Sequence, residues 1–228
     1  MRTLLLSASL ALSVSIAAQA PPIAWEQALG GSSTEYAQEL KRTADGGCVV
    51  VSHTNSNDGD VTGQHGNNDV WITKLDALGA LTWQMALGGS AADLGRSIAT
   101  TSDGGYIITG QTSSNDGDVT GAHGQIDIWV VKLDAGGSLQ WQKALGGSSN
   151  EVGYDAQQTI DGGYIIAGYT TSTYGDVTMA HGLDDAWLVK LDAAGGIVRR
   201  LGEQQHRAAQ PADGPDHQPV DGEEDQRG

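Results

Sequence analysis

The sequence contains no phenylalanine, a single cysteine, and only 12 lysines and arginines against 28 aspartates and glutamates. One cysteine excludes an internal disulfide. The net charge of −16 argues against nucleic acid or an anionic membrane as a partner, because both require clustered Lys and Arg side chains. The fold must depend on residues that are abundant, among them 33 glycines and 6 tryptophans.

Long apolar runs are also missing, except at the start of the chain. Residues 1–20 contain Arg2, an apolar stretch over 4–17 and a small-x-small cleavage site at 18–20. This order predicts a cleaved signal peptide, and therefore a secreted or cell-surface protein. A membrane anchor is the alternative, but the short length and the serines of the segment favour cleavage. No later stretch is apolar enough to predict a transmembrane segment.

A repeat of 58 residues dominates the rest of the sequence. The hexapeptides DGGCVV, DGGYII and DGGYII begin at Asp45, Asp103 and Asp161. The same step relates Trp25, Trp83 and Trp141; Trp71, Trp129 and Trp187; and His65, His123 and His181. Independent markers that keep one register over three copies predict a tandem array of one structural unit.

Each copy has the pattern of four antiparallel strands. In the second copy they are predicted at 94–101, 106–112, 127–134 and 138–147. Asp-Gly between the first two apolar runs is typical of a tight hairpin turn. Segments such as YIIT and IWVV are apolar on both faces, as in strands buried on both sides. A four-stranded sheet packed between copies of itself is a propeller blade.

We therefore predict an all-β chain of tandem four-stranded antiparallel blades, arranged as a partial or open β-propeller of about three blades. The predicted parts of 21–198 are an orphan fourth strand at 23–30 and blades at 31–88, 89–146 and 147–198. Trp71 and Trp83 have the same parity across the third hairpin, so we expect both on one face of the blade. Propellers close with four to eight blades, so a three-blade arc exposes edges through which copies can self-associate.

Residues 199–228 break the pattern. Arg199 stands where a tryptophan is due, and no aromatic residue follows it. This composition predicts disorder. Residues 204–207 (QQHR) match a one-base-shifted reading of possible codons for the SSTE at 32–35, so one hypothesis is a frameshift that ended a longer array. A genuine polar tail is the alternative.

The segment WQKALGGSSNEVGYDAQQTIDGGYIIAGYT, together with DDAWLVKLDAAGGIV, resembles the bacterial β-propeller repeat family of secreted and cell-surface proteins. Copies with SNDGDVTG-x-HG resemble repeats in surface proteins of Bacteroidetes-like bacteria. The resemblance covers 23–198. It implies a propeller fold and a surface location, and it implies no single activity.

The polar loop before the third strand is the candidate binding site. Its oxygen-bearing side chains alternate as they do in a calcium loop. The candidate calcium ligands are Asn55, Asn57, Asp58 and Asp60 in the first copy and Asn115, Asp116 and Asp118 in the second. Calcium is the one cofactor that these residues suggest. The alternative, which we favour because such turns are common, is a loop whose side chains bond to its own backbone.

A histidine precedes an aspartate by four residues in every copy, as His65 precedes Asp69. A metal site needs three or four convergent ligands, and one His and one Asp per blade do not converge. We therefore expect a hydrogen bond within each blade between the histidine, the aspartate and the backbone.

No motif indicates nucleophilic catalysis, a phosphate loop or a dinucleotide site. Nearly every polar residue recurs in each copy, whereas a catalytic residue normally occurs once. We predict a non-catalytic protein with a binding or display role, an unknown protein or glycan partner and no nucleic acid. The alternatives are a truncated fragment of a propeller enzyme, such as a dehydrogenase or a glycan-active enzyme, and a degraded gene product.

Overall fold

The computed structural model describes residues 23–198, so the predicted signal peptide and the tail at 199–228 lie outside the described residues. Within 23–198 the chain is all β, in three open antiparallel sheets. Blade 1 consists of β1 (Glu35–Arg42), β2 (Cys48–Thr54), β3 (Asp69–Leu75) and β4 (Leu81–Leu87). Blade 2 consists of β5 (Asp93–Thr100), β6 (Tyr106–Thr112), β7 (Asp127–Leu133) and β8 (Leu139–Leu145). Blade 3 consists of β9 (Glu151–Gln158), β10 (Tyr164–Thr170) and β11 (Asp185–Leu191).

Each sheet follows the order of the chain, and every strand pairs antiparallel with its neighbours. The predicted open array of about three antiparallel blades is confirmed. No helix in the described range has the length and apolar character needed to cross a membrane.

Two apolar layers join the blades. Blade 1 contributes residues such as Val51 and Ile72 to the first layer, where they pack against Ile108 and Trp129 of blade 2. The opposite face of blade 2 forms the second layer with blade 3. Because both faces of blade 2 are covered, all seven residues of β7 are buried, which confirms the expectation of strands buried on both sides.

The two central tryptophans of a blade lie on opposite faces, so the expectation that Trp71 and Trp83 share one face is wrong. Trp83 pairs with Lys74, three positions from Trp71, and a register shift follows between Lys74 and Leu75. This irregularity places one extra residue in β4 and reverses the side-chain parity. Trp83 consequently packs edge-on against Tyr106 of the next blade, with ring centroids 5.9 Å apart.

The repeated DGG segment forms the β-hairpin at the expected place, but as a loop longer than a two-residue turn. In blade 2, Thr100 pairs with Tyr106 across residues 101–105. Gly104 has a φ of +81°, a conformation that glycine adopts without steric cost. Thr101 and Gly105 close the loop with a backbone hydrogen bond of 2.9 Å.

The orphan strand predicted at 23–30 is not a strand in the structure. In blades 1 and 2 the fourth strand pairs with the third strand that precedes it. No described third strand precedes residue 23, so the backbone of 23–30 has no ladder partner. The segment has the sequence of a fourth strand without the neighbour that would make it one.

Candidate functional site

The predicted calcium loops bind the chain segment that precedes the first strand of their own blade. Asp58 Oδ1 accepts a hydrogen bond of 2.7 Å from the backbone N–H of Ser32. Asp60 Oδ2 accepts one of 3.1 Å from the N–H of Gly30, whose carbonyl in turn accepts from the N–H of Asp60. Asn55 Oδ1 accepts from the N–H of Thr34 at 2.8 Å.

The second copy repeats this arrangement. Asp116 accepts from the N–H of Ser90 at 2.7 Å, and Asp118 accepts from the N–H of Gly88 at 3.2 Å. The remaining two candidates, Asn57 and Asn115, are exposed. The favoured alternative of a loop that bonds to its own backbone therefore needs correction, because these acceptors reach N–H groups 21–30 residues earlier in the chain.

Hydrogen bonding already stabilises the charged form of Asp58 and of Asp116. Bonds from Ser32 lower the pKa of Asp58, and bonds from Ser90 lower the pKa of Asp116. Across residues 23–198, no group of three or more His, Cys, Asp and Glu side chains is arranged to hold a metal ion. We expect the thermal midpoint of the full chain to be the same in calcium and in chelator, measured by circular dichroism. A midpoint raised by calcium would instead support the calcium hypothesis.

A buried carboxylate follows the loop-binding segment in blades 2 and 3, and it is not among the residues predicted from the sequence. Asp93 is fully buried at the start of β5 and accepts hydrogen bonds from the Gly89 N–H at 2.7 Å, from Ser114 Oγ at 2.8 Å and from Thr112 Oγ1. In blade 3 the same position is Glu151, also fully buried, which accepts from the N–H of Gly147 at 2.8 Å. These carboxylates fasten the segment between two blades to the blade that follows.

The expected hydrogen bond to the aspartate is confirmed for the backbone N–H of the histidine in every blade, and the imidazole ring adds a bond in blade 1. Asp69 Oδ2 accepts from the backbone N–H of His65 at 2.8 Å and lies 2.9 Å from His65 Nδ1. The backbone bond recurs from His123 to Asp127 at 2.5 Å and from His181 to Asp185 at 2.6 Å. The pairs close the loop ahead of the third strand.

The second oxygen of the same aspartate meets a carboxylate of the next blade. Both carboxylates lie against Gly88, which has no side chain. If Gly88 carried a Cβ atom, that atom would be 2.7 Å from Asp93 Oδ2 and 2.9 Å from Asp69 Oδ1. Asp69 Oδ1 is buried and accepts no hydrogen bond from the described residues. Burial raises the pKa of Asp69 and outweighs the hydrogen bonds from His65, which lower it. The charge of Asp93 raises the pKa of Asp69 further. The two carboxyl groups therefore flank Gly88 at this junction between the blades.

The junction between blades 2 and 3 has the same pair. A Cβ on Gly146 would lie 2.1 Å from Asp127 Oδ1 and 2.4 Å from Glu151 Oε2. Asp127 Oδ1 is likewise buried without a described donor. Burial again raises the pKa of Asp127, and the charge of Glu151 adds to the effect.

We expect Asp69→Asn to stabilise the full chain at neutral pH. The amide would keep an acceptor for His65 and supply a donor toward Asp93, which removes an unsatisfied buried acceptor worth about 1–2 kcal/mol. Because the pKa of Asp69 is raised in the folded state, its destabilising effect exists above that pKa and disappears as the pH falls below the unfolded value. Urea unfolding of both proteins should show a gain at pH 7 that shrinks in acid and vanishes below pH ~4. A loss of stability at pH 7 would contradict this electrostatic interpretation.

A third repeated interaction links the KLDA and DGG motifs, which the sequence shows only as separate markers. Lys74 Nζ donates to Asp45 Oδ2 at 2.7 Å, and Lys132 Nζ donates to Asp103 Oδ2 at 2.9 Å. Bonds from Thr101 and Lys132 lower the pKa of Asp103 to about 2. The lysine ties the hairpin turn to the third strand, so its conservation across the copies has a structural cause.

Comparisons with known proteins give distant structural similarity. No family model matches the chain, and no curated protein matches it. Two variants of the Synechocystis apocarotenoid oxygenase are similar in structure, each at 15% sequence identity, with TM-scores of 0.39 and 0.38. The alignments cover 72% of this chain and 38% of the oxygenase chain, so this chain spans well under half the length of those structures.

Proposed function

We propose that the chain is a secreted or cell-surface β-propeller-type repeat protein with a non-catalytic binding or display role. The observation that carries the proposal is that the conspicuous polar residues perform the same structural task in successive blades. Asp93 and Glu151 both fasten a segment between blades, and Asp58 and Asp116 both bind backbone N–H groups. Side chains that hold blades together are poor candidates for a catalytic group.

The loops between the second and third strands are the surface that supports a binding role. Each leaves the same end of its blade, so stacking of the blades places the loops side by side. Exposed side chains recur there at one repeat interval, as Asn57 and Asn115 do. Two exposed amides one repeat apart, followed by the exposed hydroxyl of Thr173 in the third loop, suit a partner with repeated hydroxyl or amide groups, and we infer a surface glycan as the first partner to test.

Secretion and binding can be tested separately. The chain expressed in a bacterial host with its own residues 1–20 should leave the cytoplasm, and N-terminal sequencing of the exported protein should start at Pro21. An intact protein retained in the cytoplasm would contradict secretion.

A labelled full chain applied to a bacterial glycan array should bind, and the double variant Asn57→Ala, Asn115→Ala should lose the binding. Matched replacement of Gln140 and Gln157, two exposed amides outside these loops, should leave it unchanged. Failure to bind any glycan would overturn the glycan partner, and binding that survives loss of both loop amides would remove the loops as its site.

A further inference from the structure

The two ends of the array expose the same kinds of surface that are joined inside it. On blade 3, Leu188 is 70% exposed, whereas Val130 at the equivalent position of blade 2 is fully buried against blade 3. On blade 1, Leu40 is 59% exposed, whereas its equivalent Ile98 is fully buried against blade 1. The open face of blade 3 is therefore built to receive the open face of a first blade.

Residues 23–30 already lie where the fourth strand of a preceding blade would lie. The ring of Trp25 rests on Gly79, with Cδ2 2.7 Å from the position of an ideal Cβ. Trp83 rests on Gly137 of blade 2 in the same way at 3.0 Å, and Trp141 on Gly195 of blade 3 at 3.1 Å. The segment thus contacts blade 1 as β4 contacts blade 2, while its own hydrogen-bonding edge has no partner strand.

Between residues 23 and 198, blade 3 has three strands and no fourth strand. Within the described residues, β11 is followed only by a bridge from Leu191 to Ile197 and a backbone bond of 2.8 Å from Val198 to Lys190. Beyond these two contacts the outer edge of β11 has no described partner strand, and an open edge of this kind readily accepts an added strand.

The chemistry of the missing strand favours 23–29 over the residues that follow Val198. In the complete blades, Trp71 Nε1 donates to Gln84 Oε1, and Trp129 Nε1 donates to Gln142 Oε1, both at 2.7 Å. The repeat puts Arg200 at that position after blade 3, and arginine has no acceptor. Residues 23–29 (IAWEQAL) place Glu26 at the position of Gln84 and Gln142, and its carboxylate can accept from Trp187 Nε1. They also keep a tryptophan, Trp25, two positions after the first residue of the strand.

The glycine that follows the histidine in each copy also indicates that blade 3 receives the segment ahead of a first blade. A Cβ on Gly66 or Gly124 would strike the segment before the next blade, 2.3 Å from the Gly89 carbonyl oxygen and 2.4 Å from that of Gly147. The equivalent Gly182 of blade 3 has open space around it. The repeat places Gly31, ahead of a first blade, opposite this vacant position.

We propose that residues 23–29 of one copy form the fourth strand of blade 3 in a second copy, and that two copies exchange these segments to close a six-blade ring. The register follows that of β7 and β8 and pairs Lys190 with Trp25 and Val189 with Glu26, while Ile23 takes the place opposite Leu191 that Ile197 of the same chain holds before the exchange. Three-blade units reach the four to eight blades of closed propellers only as a pair. Each junction joins unlike faces, and a two-fold rotation closes the ring. This assembly does not depend on the proposed glycan partner.

Sedimentation velocity of the purified full chain tests the assembly. The chain is expected to sediment with twice the mass of one copy, and Leu188→Lys should halve that mass, because it places a charge in the buried junction. Leu78→Lys is the matched control, since Leu78 is exposed in a hairpin whose equivalent, Gly136, stays exposed between two neighbouring blades. Circular dichroism should show both variants folded. A one-copy mass for the unaltered chain, a mass above two copies, or an equal response to both substitutions would overturn the proposal.

A disulfide test then fixes the register. In a Cys48→Ser background, chains with Glu26→Cys mixed with chains with Val189→Cys should form a covalent dimer under mild oxidation. The control mixture of Gln27→Cys with Val189→Cys points the new thiol to the opposite face and should remain uncrosslinked. Equal crosslinking in both mixtures, or none in the first, would contradict the strand exchange.

Discussion

Trp129→Ala is expected to lower the free energy of unfolding by about 3–5 kcal/mol, the range for large aromatic residues removed from a core. Trp129 is 2% exposed and lies in the layer between blades 1 and 2. Its truncation also leaves Gln142 Oε1 without the indole donor at 2.7 Å. For a chain of this size the loss corresponds to a decrease of roughly 10 °C in the thermal midpoint.

Thermal and urea unfolding followed by far-UV circular dichroism measure this effect. Tyr174→Ala is the matched control, because Tyr174 is an exposed aromatic residue of a loop and should change stability by no more than about 0.5 kcal/mol. A cost below about 1 kcal/mol for Trp129→Ala would show that the layer between the blades is not the main core.

Asp93→Ala is expected to cost about 2–4 kcal/mol. The substitution strands the donors of Gly89, Thr112 and Ser114 in a buried place, and an unsatisfied buried group costs about 1–3 kcal/mol. The relief of the facing Asp69 carboxyl offsets part of the loss, which keeps the expected value below the sum for three donors.

Asp93→Glu provides the control, since blades 1 and 3 carry Glu35 and Glu151 at the same position. Glu35 accepts from Thr54 Oγ1 at 2.8 Å, and Glu151 accepts from Thr170 Oγ1 at 2.7 Å. The glutamate variant should therefore retain most of the stability in urea unfolding. Equal losses for alanine and glutamate would show that packing, and not acceptance of these hydrogen bonds, decides the role of the site.

The repeat made the strands predictable from the sequence, because every apolar run and turn could be checked against two further copies. The runs 106–112 and 127–134 reappear as β6 and β7 with a difference of at most one residue. The face of Trp71 relative to Trp83 was not predictable by counting residues. The additional residue in β4 shifts the register without any glycine or proline to mark it.

The candidate site was predicted less completely for a related physical reason. The sequence shows that Asp58 and Asp60 carry oxygen ligands, but an oxygen that binds calcium and one that accepts from a distant N–H look alike. The comparison of identical residues between the copies does not point to Asp93, because its position holds Glu in the two other copies. A repeat position that keeps a carboxylate while its side-chain length varies was the available signal, and it indicates a requirement for an acceptor.

The carboxylates with lowered pKa values and those with raised pKa values have opposite pH behaviour. Asp103 has a lowered pKa, so its contribution to stability is present at neutral pH and is lost as the pH falls. Asp69 and Asp127 have raised pKa values, so their cost is greatest at neutral pH and fades in acid. As the pH falls, the carboxylates at the junctions between the blades become less destabilising, while the hairpin ion pairs lose their stabilising effect.

The most direct test of side-by-side packing between successive repeats is a disulfide between Ser97 and Asp155, which are 58 residues apart in adjacent blades and joined by a hydrogen bond of 2.9 Å. In a Cys48→Ser background, Ser97→Cys with Asp155→Cys should oxidise within one chain and raise stability by up to about 4 kcal/mol. Pairing Ser97→Cys with Ser138→Cys, in a distant hairpin loop of the same blade, should leave both thiols free. Free thiols at 97 and 155 in the folded chain would contradict the stacked-blade structure.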